Sequence, residues 1–565
     1  MNRRASFAAI TDAALPEDVD PATVSQISPF ANKVLPAGHH TTGGLEPYSG
    51  PWGNAQILHL LRRTTFGPAR TDVDLLKTMY MAQAVDHLLS PPPAEDSMPL
   101  NVDSTDLVPV GETWAYAASA NTSSRTSSLK AWWLGLIINQ PASIREKMVL
   151  FWHNHFVTEH DAVGEPRFSW RYLSLIRANA IGNYKDLARQ MTFDGAMLRY
   201  LNGNTNTRTS PNENYGRELQ ELFTIGKGPE IAPGDYTNYT EVDVKAAAKV
   251  LTGWQEDSTV LTTPWSSAWK FTSSRHDTGN KQFSERYGNR VIIGGTDGAR
   301  EVDDLLDMIY AQPETAKYLC RKLYRWFVYY VIDDWTEINI ITPMADILRS
   351  NNYDIRPALA ALLKSAHFFD PLNMGCIIKS PVDFVAGIAR QFALAFPADT
   401  VNLYKMLTYL TGQAATLQQE IGNPPSVAGW PAYYQTPQFY ELWINSDTLP
   451  RRTTLSNTLV RTGYTTGGIK LIVDPIAFVK TLSNPGDPNA IIDESALYLF
   501  AIAITSSQRA FLKETLLPGL PDYEWTVEWA EYTADPANAA KLAAVKTKLT
   551  TLYAFMLSMP EFHLQ

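Results

Sequence analysis

Apolar positions recur at helical spacing through most of this chain. Ile57-Leu58-His59-Leu60-Leu61 and Val73-Asp74-Leu75-Leu76 open the pattern, and such spacing predicts helix. Further helices are expected near 125–139, 142–157, 167–178, 183–192, 240–253, 300–311, 314–331, 355–366, 378–391, 495–517 and 537–559. Pro91-Pro92-Pro93 breaks the series. Between Thr262 and Gly298 the periodicity is lost. That stretch is aromatic and polar, with Pro264, Gly279, Gly288, Gly294 and Gly295 as breakers and a short strand expected at Arg290-Val291-Ile292-Ile293. From 413 to 450 the chain is irregular and aromatic again. No internal repeat of fixed period appears. The expected fold is mainly α: a large multi-helical assembly with long irregular loops and a small strand-containing excursion. Residues 1–45, rich in Pro, Ala, Ser and Thr, read as an extended tail. Residues 46–565 read as a single helical domain with irregular excursions near 262–298 and 413–450.

One predicted helix carries more polar groups than packing needs. It runs from Ser210-Pro211-Asn212-Glu213 through Arg217-Glu218-Leu219-Gln220-Glu221 to a stop at Gly226. Ser210 suits the cap, Pro211 the first turn, and Glu213 the reciprocal position of a capping box. At about 100° per residue, Tyr215, Leu219, Leu222 and Phe223 share an apolar face. Asn214, Glu218 and Glu221 edge it. Carboxylates at such a boundary are either paired with cations or used chemically. Glu218 is expected to be buried and within reach of Arg217, His153 or His155, because an unpaired carboxylate there costs several kcal/mol.

A second segment, Ser143-Ile144-Arg145-Glu146-Lys147-Met148-Val149-Leu150-Phe151-Trp152-His153-Asn154-His155-Phe156, also starts like a capping box, at Ser143 and Glu146. It is apolar on most faces and should be deeply buried. If the helix continues to its end, His153 and His155 point about 200° apart and cannot share an ion. If the chain becomes extended at Trp152, they fall on one side. They are either core histidines, metal ligands or acid–base groups. A third segment, Ser274-Arg275-His276-Asp277-Thr278-Gly279-Asn280-Lys281, lies in the irregular excursion, where loops often carry function. A fourth is Pro424-Pro425-Ser426-Val427-Ala428-Gly429-Trp430-Pro431, followed by Tyr433, Tyr434, Phe439, Tyr440 and Trp443. These aromatics either line a cleft or plug a loop onto the core.

Composition narrows the classes. The 565 residues are 45% hydrophobic, enough for a large core. Net charge is −10 with no long basic run, so nucleic acid is not an expected partner. No apolar run approaches the ~20 residues of a membrane span. Cys320 and Cys376 are too few for a disulfide framework or a cysteine zinc site; Cys320 reads as a buried thiol. Arg3-Arg4 followed by small apolar residues has the look of a twin-arginine export signal, but Thr11 and Asp12 cut the apolar stretch short. Export and a cytoplasmic location both stay open. Serine-hydrolase elbows, P-loops, H-E-x-x-H and dinucleotide fingerprints are absent from the sequence.

Six ordered motifs resemble one bacterial family, called domain of unknown function 1800. They are His59 to Pro68, Phe151 to Phe156, Asn212 to Gly226, Leu251-Thr252-Gly253-Trp254, His276-Asp277 with Gly279 and Lys281, and Pro425 to Pro431. The resemblance runs from about Pro51 to the end. It implies one architecture. The Asn2-Arg3-Arg4 start and the Pro47 to Trp52 segment look like the Bacteroidetes-type branch. The resemblance also implies export, from which the N-terminal segment departs, and a possible partner from a sulfatase-like family. It implies no reaction and no substrate.

Two classes of function follow. In the first, His153, His155, Glu218, Glu221 and His276 converge on a zinc, iron, copper or manganese ion between buried helices. Asp277, Lys281 and Arg217 are then the catalytic candidates, with Asp277 or a spare carboxylate as base toward metal-bound water in a hydrolysis; iron or copper would serve an oxidation instead. In the second, the same residues form a buried polar network in a non-catalytic binding or scaffold protein.

Overall fold

The computed structural model describes residue 41 and residues 43–565, apart from 93–96, 119–120, 234 and 265. The expected export segment and most of the expected 1–45 tail lie outside the described residues. Within them the fold is mainly α, as the periodicity predicts. Among the described residues strands occur only as four two-stranded antiparallel sheets. Among the described residues no helix is long and apolar enough to cross a membrane. One connected apolar cluster reaches from Ile57 to Phe562.

Five segments position the site. The first is the histidine helix, Arg145–His155, which is buried on nearly every face. It starts differently from expectation: Ile144 is its cap residue, Ser143 Oγ accepts only the Arg145 N–H, and Glu146 pairs with Arg177 instead of closing a capping box. The second is the lysine helix, Pro313–Phe327, with proline in its first turn. Ala316, Leu319, Cys320, Leu323 and Phe327 point into the core. Tyr318, Lys322 and Arg325 stand at i, i+4 and i+7, hence on one face.

The third segment corrects the single capped helix expected from Ser210 to Gly226. The α-helix begins only at Asn214. Ser210 lies in a turn with Thr207, and the carboxamide oxygen of Asn212 takes the Asn214 N–H. After Glu218 the helix widens into a π-helical turn, Leu219–Thr224. Gly226 does end it, at φ +73°, with its N–H on Gln220 O at 2.9 Å. A Cβ there would stand 2.5 Å from the Tyr318 ring, so glycine is required twice over.

The fourth segment is the aromatic stretch after the Thr400–Thr416 helix, built from tight turns at Pro431–Tyr433 and Phe439–Trp443 before helix resumes at Thr448. The fifth, Pro381–Gln391, is a helix buried along its length. The 262–298 excursion holds parts of two sheets, Trp254–Glu256 with Trp269–Phe271 and Lys281–Gln282 with Val291–Ile292. The last strand falls where one was expected.

Candidate functional site

The helix runs through to His155, so the two histidines diverge. His153 is fully buried; its Nδ1 lies 3.1 Å from the Tyr172 hydroxyl, and its Nε2 has no partner among the described residues. Its ring faces His160, with ring centres 5.9 Å apart, and both His160 nitrogens are likewise buried and unpartnered. Burial lowers His153 to about 3, so the imidazole is neutral.

His155 faces the opposite way. Its Nε2 lies 3.0 Å from Phe223 O and 2.9 Å from the Tyr184 hydroxyl. A carbonyl only accepts, so Nε2 carries the proton and Nδ1 presents a lone pair. Lys322 Nζ lies 3.2 Å from that Nδ1 and 3.0 Å from Leu222 O. Burial, and then the Lys322 charge, hold His155 well below its ordinary value.

The π turn supplies the carbonyls. A π-helix does not close its hydrogen bonds in the α register, and such turns recur at functional sites. Leu222 O receives Lys322 Nζ and the Tyr318 hydroxyl; Phe223 O receives His155 and Tyr184. The polar helix therefore contributes to the site through its backbone. Its carboxylates go elsewhere. Glu221 is held by Lys227 at 3.2 Å and by the Tyr239 hydroxyl at 2.8 Å. Arg217 makes a two-pronged pair with Glu241, at 2.5 and 2.7 Å, with Glu213 3.5 Å away. Glu218 is half-buried and has no ion pair or hydrogen bond among the described residues, contrary to the pairing expected of it. Burial, then Glu221, raise it to about 7.

His276, Asp277 and Lys281 form a separate group. Glu301, fully buried, lies 2.5 Å from Lys281 Nζ and 3.2 Å from His276 Nε2, while His276 Nδ1 donates to Thr252 O at 2.9 Å. Asp277 accepts the Gly279 N–H and stands 3.8 Å from Lys281. This network pins the excursion to the Gly298–Tyr310 helix. Among the described residues no hydrogen bond or ion pair joins it to His153, His155, Glu218 or Glu221. Among the described residues, no three His, Cys, Asp or Glu side chains gather in a metal-holding group.

What does converge is a pocket that opens to solvent. His155, Lys322 and Arg325 line it, and its walls are aromatic, including Phe151, Trp326, Tyr433 and Trp443. The aromatic stretch after residue 430 thus lines a cleft. Asn154 fastens it: its side-chain oxygen accepts the Trp430 N–H at 2.9 Å, and a Cβ at Gly429 (φ +95°) would strike Asn154. Burial, then Arg325, lower Lys322 to about 7. Arg325 Nε donates to Tyr330 O, and its terminal nitrogens have no partner among the described residues. Neither cation has a carboxylate within 4 Å among the described residues. Lys147 and Asp383, both also on the wall, pair with each other.

Behind the wall the charge is again positive. Arg62, Arg63, Lys379 and Arg452 are buried, without a carboxylate within 4 Å among the described residues. They rest on backbone carbonyls, such as Leu497 O for Arg62 and Phe562 O for Lys379, and on rings, as Arg452 does on Phe384. Burial pushes both Arg62 and Arg452 down to about 9. The sequence reading passed over Lys322 and Arg325. With Glu314, Lys317 and Arg321 on the same helix, they read as part of its polar face.

Fold and site together define a mainly α protein with an aromatic-walled pocket that also presents Lys322, Arg325 and the Lys147–Asp383 pair. The chain belongs to the family described as protein of unknown function, DUF1800, whose family model matches residues 59–564. No curated protein and no solved structure matches it.

Proposed function

We propose that the protein is an enzyme acting on a small anionic molecule in this pocket, with Lys322 and His155 handling the reacting proton. One observation carries the reading: a pocket amine with no acidic neighbour, held against the lone pair of a neutral imidazole. Structural lysines run their heads to water or pair with an acid. Lys322 pairs with no acid among the described residues; its Nζ rests on an imidazole and a carbonyl. A value of about 7 suits proton exchange at neutral pH. Arg325 and the cations behind the wall favour an anion, and the rings favour an apolar body on it. His155 as a metal ligand would require displacing Lys322.

Calorimetric titration with phenylacetate and its neutral amide tests this. The carboxylate should bind at least about tenfold tighter at pH 6.5. Its affinity should fall toward pH 9, as Lys322 loses its charge and Arg325 keeps its own. Equal affinities would remove the anion pocket and favour the scaffold reading.

A second reading keeps a metal ion, on the opposite face of the histidine helix. Its support is the facing pair His153 and His160, with three buried, unpartnered ring nitrogens. Imidazole suits copper or zinc. Elemental analysis of tag-free protein should then find about one equivalent, lost in His160→Ala; metal-free protein that takes up neither ion ends that reading.

A further inference from the structure

We infer that Lys322 is a carbonyl-reactive amine that condenses with an oxo acid, the carboxylate of which Arg325 holds. This deepens the reading above and rests on it. The argument is stereochemical. A neutral lysine amine has two N–H bonds and one lone pair. His155 Nδ1 and Leu222 O are two acceptors, at 3.2 and 3.0 Å, and they take both N–H bonds. No hydrogen-bond donor among the described residues reaches the fourth tetrahedral position, the lone pair; the Tyr318 ring lies beside Nζ, 4.9 Å to its centre, and Lys322 lines the pocket.

The buried lysines differ from it. Lys281 is held by Glu301 and Lys147 by Asp383, while Lys379, on Phe562 O, is not part of the pocket wall. A desolvated lysine beside a second cation is a recognised form of activated nucleophile. Arg325 is that cation, one turn along the same face. Its free terminal nitrogens match a carboxylate in a two-pronged fit. The ligand class is therefore a carbonyl compound bearing a nearby carboxylate and an aromatic or apolar body.

The step balances without an oxidant. The Nζ lone pair adds to the carbonyl carbon, and the carbonyl π pair moves to oxygen. That oxygen takes a proton from nitrogen, giving a carbinolamine. Loss of water then leaves the C=N bond of an imine.

The full-length protein is incubated with phenylglyoxylate and cyanoborohydride, which delivers hydride to the imine carbon and leaves a stable secondary amine. Peptide mapping of the wild type then shows which lysines are modified, so the result does not depend on how a variant folds. Lys322 should be labelled ahead of every exposed lysine. Arg325→Gln should slow that labelling about tenfold, and labelling by benzaldehyde, which lacks the carboxylate, should change less. Labelling spread over exposed lysines with Lys322 unmodified overturns the inference. If phenylacetate still binds by calorimetry, the pocket reading survives that failure; if it does not, both fall.

Discussion

Phe223 O decides the chemistry of His155. A single carbonyl, 68 residues away along the chain, fixes the tautomer and so turns the other nitrogen toward Lys322. The sequence could show that histidines sit in a buried helix. It could not show which way each faces, because that depends on whether the helix runs on past Trp152. Lys322 was hidden for a different reason: a lysine at helical spacing reads as part of a solvated face, and only the neighbouring segments enclose it. Glu218 was legible as an unusual carboxylate, but its expected partner, Arg217, is taken by Glu241. The unpaired Glu218 has a measurable consequence. Its folded value of about 7 lies above the roughly 4.3 of an unfolded glutamate. Between those two pH values the folded chain binds the extra proton, so stability falls as pH rises. Above about 7 the full unfavourable effect is present. Glu218→Gln should therefore raise the melting temperature at pH 8 and leave it unchanged at pH 4; an equal shift at both would show that Glu218 is an ordinary carboxylate.

At the scale of elements, the site is made where a helix stops being regular. The segment from Asn214 to Thr224 looked chemical because of its polar stripe, yet its π turn offers carbonyls and its carboxylates turn outward. Sequence patterns locate helices through side-chain period, and a one-residue change of hydrogen-bond register within a helix leaves that period almost unaltered. The aromatic loop after Trp430 shows the complementary case. Its rings were visible, but whether they pack or line depends on Asn154, which seats the loop. Asn154→Ala leaves the Trp430 N–H without its acceptor, at a cost of about 1–3 kcal/mol. Chemical denaturation should register that loss, and phenylacetate binding should weaken as the wall loosens. Unchanged stability and unchanged binding together would show that the loop is held by its rings alone.

Over the whole molecule, the mainly α architecture was readable because most helices alternate apolar and polar positions at their own period. The buried charge was not. Arg62 and Arg63 follow Ile57-Leu58-His59-Leu60-Leu61 and look like the solvent side of an amphipathic helix, whereas the fold closes over them at 5% and 1% exposure. With Lys379 and Arg452 they make an interior positive on balance, and Asp383 is already engaged by Lys147. A field of that sign disfavours a charged amine and favours an anion beside it. Lys322 reports on both effects at once. The most direct measurement is therefore the titration of its side chain by nuclear magnetic resonance, with ¹³C-labelled lysine and Lys322→Arg to assign the signal. The account predicts a midpoint of about 7 that rises when phenylacetate is added. A midpoint near the ordinary lysine value of about 10.4, unmoved by phenylacetate, would contradict it.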